Sequence, residues 1–81
     1  MRILAIGHLK GDISPYVADE QRVAQQLRQE GFILESFRRR DRTGAILLVN
    51  EADAAAAERR LAALPFVEKE LITFELVELV G

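Results

Sequence analysis

The chain carries one histidine, His8, and no cysteine. Histidine is the side chain whose ordinary titration lies near neutral pH, so His8 is the first candidate for general acid/base chemistry. It closes the apolar run RILAIGHL (Arg2–Leu9), on the same face as Leu4 and Ile6. A histidine there also serves simply as a partly buried strand-end group. Glu20 is the second candidate. At 100° per residue it falls inside the apolar arc of Tyr16, Val23, Ala24 and Leu27. A carboxylate in that arc is partly desolvated, which raises its pKa towards the useful range, unless it bends to solvent or pairs with an arginine. Tyr16, one turn earlier, brings a hydroxyl to the same space or merely packs there. Arg38 and Arg40 sit in the run Arg38-Arg39-Arg40-Asp41-Arg42 and could hold the carboxylate of a small anionic metabolite. The same run also reads as a charge-guarded strand edge.

Composition limits the remaining chemistry. One histidine and no cysteine leave no disulfide, no usual transition-metal site and no iron–sulfur cluster within one chain. No glycine-rich phosphate loop or nucleotide fingerprint is present, so neither a metal nor any other cofactor is expected. A formal net charge of −2 argues against nucleic acid, and GAILLVN (44–50) lacks the stacking aromatics of an RNA-binding strand. No apolar run is long enough to span a bilayer and the N-terminus lacks a signal-peptide plan. The expectation is a cytoplasmic protein with no membrane partner.

The elements that must position these residues are legible in outline. Lys10-Gly11-Asp12 turns the chain after the first strand, and Ser14-Pro15 announces a helix, with Ser14 as its cap. Gly31 stops that helix. Residues 32–39 and 45–50 read as two strands joined by a hairpin, with Gly44 available for a positive φ. Asp53 caps a second helix reaching roughly Ala63, which Leu64-Pro65 breaks. Residues 71–80 form a last strand. The order β-α-β-β-α-β, with right-handed crossovers, predicts a single α+β domain over residues 1–81. Its fold is a ferredoxin-like βαββαβ sandwich with a four-stranded antiparallel sheet.

Both faces of that sheet are apolar. Ile3, Ala5 and Leu9 oppose Leu4 and Ile6 on the first strand, and Ala45, Leu47 and Val49 oppose Ile46 and Leu48 on the third. Two helices cover one face only, and a chain of 81 residues is too small to leave the other bare. The expected cover is the same face of a second copy, giving a homodimer or higher homo-oligomer with the form of a dimeric α/β barrel.

The segments RILAIGHL, Glu30-Gly31 at the first helix end, GAILLVNEA and above all LPFVEKELITFELVEL resemble the muconolactone isomerase-like and YCII-related branch of the dimeric α/β-barrel superfamily. The resemblance spans nearly the whole chain, and His8 is similar to a first-strand histidine of some YCII-like proteins. It implies a small cofactor-free enzyme doing proton-transfer chemistry on a small anionic metabolite. His8 and Glu20 would be the acid/base groups, placed close together if the link through residues 10–14 is short. The alternative is a non-catalytic small-molecule-binding or accessory subunit, its cavity merely holding a ligand or packed shut by Phe32, Phe37, Phe66 and Phe74.

Overall fold

The computed structural model describes all residues, Met1–Gly81. Strands β1 (Arg2–Leu9), β2 (Ile33–Arg38), β3 (Ala45–Asn50) and β4 (Ile72–Glu78) form one antiparallel sheet in the order β2-β3-β1-β4. Helices α1 (Val17–Gln29), α2 (Ala54–Leu61) and the short α3 (Pro65–Glu68) supply the connections. This is the α+β ferredoxin-like sandwich, with β1 and β3 central as their apolar sequences require.

Alternation along the strands divides the sheet into two unlike faces. Ile3 and Ala5 of β1, Leu47 and Val49 of β3 and Ile33 of β2 are buried against Leu27, Ala57, Leu61 and Leu64. Ala57 is completely buried, because only a methyl fits where α2 approaches the sheet. The opposite face carries Leu4, Ile6 and His8 of β1, Ile46 and Leu48 of β3, Glu35 and Phe37 of β2, and Thr73, Glu75 and Val77 of β4. No helix lies over it. Phe37 is 56% exposed there, and the surface totals 5369 Å². A folded monomer of 9.1 kDa ordinarily exposes roughly 4,900 Å².

Gly31 ends α1 as expected. Its φ of +82° lets Gly31 N–H reach the Arg28 carbonyl and Phe32 N–H the Leu27 carbonyl, both at 3.0 Å. Asp53 caps α2 through Ala56 N–H at 2.8 Å. Three local expectations need correction. Ser14 is not a side-chain cap: residues Ser14–Tyr16 form a 3₁₀ turn, and the Asp12 carboxylate accepts from Ser14 N–H at 3.0 Å. Pro65 does not only break a helix; it starts α3, since a proline has no N–H to lose in a first turn. Gly44 takes no positive φ, which falls on Arg42 at 62°. Gly44 is required instead by close approach, because a Cβ there would lie 2.7 Å from the Gly7 carbonyl carbon.

Candidate functional site

His8 stands on β1 opposite Thr73 of β4. On its other side the register with β3 ends at the Ile6–Ile46 pair, and the β2–β3 loop takes over. Leu9 N–H donates to the Thr43 carbonyl at 2.7 Å, and Arg39 N–H to the Gly44 carbonyl at 2.9 Å. These bonds lean the loop across the end of β1. Arg39 is consequently half-buried, with Nη1 2.9 Å from His8 Nδ1. Its Nη2 lies 3.5 Å from Asp41 Oδ2. Asp41 Oδ1 accepts from the Thr43 hydroxyl at 2.6 Å and from Thr43 N–H at 3.0 Å. The Thr43 hydroxyl is the main reason the Asp41 carboxyl titrates below its usual range.

The direction of the His8 bond follows from chemistry. A guanidinium only donates, so Nδ1 is the acceptor and the neutral ring carries its proton on Nε2. His8 therefore presents an N–H donor to the bare face, beside a permanent cation. That pair suits an acidic oxygen, such as a carboxylate, phenolate or enolate.

Glu20 lies in the other layer. Its Oε1 accepts from Phe66 N–H at 2.9 Å, which satisfies an otherwise unpaired donor in the first turn of α3. Desolvation raises the Glu20 pKa above its ordinary 4.5, and the Phe66 bond opposes that only in part. The sheet separates Glu20 from His8, so the two do not meet within one chain. Tyr16 also sits in the helix layer, its ring 5.7 Å from Lys69 Nζ. Arg38 pairs across from Ala45 on the helix-side face, and Arg40 is an exposed loop residue without an ion pair. The arginine brought to His8 is Arg39. The alternation of β2 was the available signal: Phe37 and Arg39 share a face, and it is the face of His8.

The Glu20 cap makes a stability prediction with a definite sign. As pH rises past 4.5, the unfolded chain loses the Glu20 proton before the folded chain does, so this group's contribution to stability is lost. Glu20→Gln keeps an acceptor for Phe66 N–H without the charge. It is expected to match wild type at pH 4 and to melt a few degrees higher at pH 7. Glu20→Leu leaves Phe66 N–H unpaired and should cost about 1 kcal/mol. Thermal melts at the two pH values check both.

A groove of about 520 Å³ runs between α2, α3 and β4, lined by Leu61, Val67, Ile72, Phe74 and Leu76. Glu58 is the only charged side chain along it, so no convergent polar groups would orient a ligand. No group of three or more histidine, aspartate or glutamate side chains converges as a metal-binding set. No helix is long and apolar enough to cross a membrane.

No protein-family model matches this sequence, and no curated protein matches it. Among solved structures it is similar to 5-chloro-2-hydroxyhydroquinone dehydrochlorinase (TftG) from Burkholderia phenoliruptrix AC1100, in complex with 2,5-dihydroxybenzoquinone. The TM-score is 0.79 over 100% of this chain and 95% of that one, at 13% sequence identity. At that identity the likeness establishes the shared fold.

Proposed function

We propose that two copies pack bare face to bare face as a dimeric α/β barrel, and that the space between the sheets binds a small anionic ring compound. His8 Nε2–H and the Arg39 guanidinium hold its acidic oxygen, and proton transfer follows on the polarised ring. The carrying observation is the His8–Arg39 contact at one end of an uncovered face whose middle is lined by Leu4, Ile6, Ile46 and Leu48. The muconolactone isomerase-like and YCII-related resemblance and the similarity to a dehydrochlorinase of a hydroxyhydroquinone support the same class of substrate. The cavity-filling alternative loses its support, because Phe32 and Phe66 belong to the helix-side core and only Phe37 stands on the bare face. In this reading Arg38 and Arg40 steer an anion towards the rim, while Glu20 and Tyr16 hold the helix layer. The chemistry uses the chain's own groups.

Titration with 2,5-dihydroxybenzoquinone, followed by its absorbance, tests this. Saturable binding is expected, weakened tenfold or more by His8→Ala. Binding that His8→Ala leaves unchanged, or none at all with this probe or with benzoate, would overturn the reading.

A further inference from the structure

A donor that fixes an oxygen moves no proton from carbon by itself. With Nδ1 committed to Arg39 and a proton on Nε2, neutral His8 offers no free lone pair to act as a base. The proposed reaction therefore needs an acceptor elsewhere on the bare face. Asp41 is engaged by Thr43 and Arg39. Glu35 lies opposite Leu48 on the far edge strand, beyond Phe37 from Arg39. Glu75 is placed differently. It pairs across from Ile6, one same-face position from Thr73, the residue directly opposite His8. Diagonal neighbours of this kind stand about 7 Å apart, a gap that a small ring fills while touching both side chains. Glu75 is exposed, and it joins none of the ion pairs. An unpaired carboxylate beside Ile6, next to the apolar row of Leu4, Ile6, Ile46 and Leu48, costs stability once that face is covered. Such local violations of patterning concentrate at functional sites.

We infer that Glu75 is the proton acceptor of this site, working opposite the His8 Nε2–H donor on the two sides of a small enolic or phenolic ring. The inference rests on the function proposed above. The step balances without an oxidant or reductant. In one direction Glu75 delivers a proton to a ring carbon, the enolate electron pair forming the C–H bond. In the other it removes a proton from that carbon, and the pair returns to the enolate, whose oxygen His8 and Arg39 hold.

Exchange of the ring hydrogens of 2,5-dihydroxybenzoquinone in D₂O, followed by NMR, reads this step directly. Wild type should accelerate exchange over buffer, and Glu75→Gln should slow the enzymatic rate at least 10²-fold, a usual size for a lost acid/base group. Affinity for the anionic probe should stay within threefold or tighten, because the substitution removes a like charge. Glu75→Asp should recover part of the rate, and Glu35→Gln should leave it unchanged. Glu75→Gln exchanging at the wild-type rate would overturn the assignment. Binding that depends on His8 without any accelerated exchange would overturn it too, and would leave a binding module. Failure of the function itself reads separately, as binding insensitive to His8→Ala.

Discussion

Ile6→Lys is expected to halve the particle mass. Wild type should sediment at about twice 9.1 kDa at micromolar concentration, and the variant near 9.1 kDa. Ile6 lies on a central strand of the bare face, between Ile46 and Glu75 in the cross-sheet row. A face-to-face dimer would bury it against the partner, and an ammonium placed there loses its hydration. Each chain's own Glu75, across from position 6, can offset only part of that cost. The expected loss is several kcal/mol, or a dissociation constant raised at least 10²-fold. The helix side of the sheet is untouched, so the monomer should keep its far-UV signature while melting at a lower temperature. For wild type the melting temperature should also rise with protein concentration, the mark of association coupled to folding. Arg40→Ala, on the exposed loop, should change neither mass nor melting. A wild-type particle of 9.1 kDa at all concentrations would remove the enclosed pocket and the function built on it.

The fold was legible because its signals are periodic. Apolar alternation on RILAIGHL and AILLVN marks central strands, the charged β2 marks an edge, and Gly31 marks a helix end whatever the rest of the chain does. The expected two-faced apolar sheet is also what the structure contains. Of the proposed site, only the histidine was legible. A helical wheel places Glu20 on the inward face of α1, but it cannot say what packs against that face. The occupant is α3, a turn started by Pro65 in which Phe66 N–H donates to the carboxylate. The arginines posed a different difficulty. Four of five consecutive residues are arginine, and which of them meets His8 depends on the hairpin register. That register is set by the bonds from Arg39 and Leu9 to the loop carbonyls, not by composition. Glu75 was hidden in an acidic-apolar strand, where its face becomes known only from the pairing with β1.

Gly44 links the fold to the site, and Gly44→Ala is expected to damage both. A Cβ at Gly44 would run into the Gly7 carbonyl oxygen and come within 3.2 Å of His8 Cα. All of these are backbone atoms in a central strand, so no rotamer change relieves the clash. Either β1 and the hairpin separate at this end or the Leu9–Thr43 and Arg39–Gly44 bonds break, and the cost should be about 3 kcal/mol. The right comparison is Gly31→Ala. Gly31 has φ +82° and open space around its position, so alanine there pays only the left-handed backbone penalty, about 1 kcal/mol. Denaturant titrations should therefore rank wild type above Gly31→Ala and Gly31→Ala above Gly44→Ala. Their functional effects should diverge further. Gly31 lies at the far end of α1, and its variant should bind 2,5-dihydroxybenzoquinone as wild type does. The folded fraction of Gly44→Ala should bind at least tenfold more weakly, because the loop that carries Arg39 to His8 has moved. Equal binding by the two variants would mean that the loop position does not set the His8–Arg39 pair.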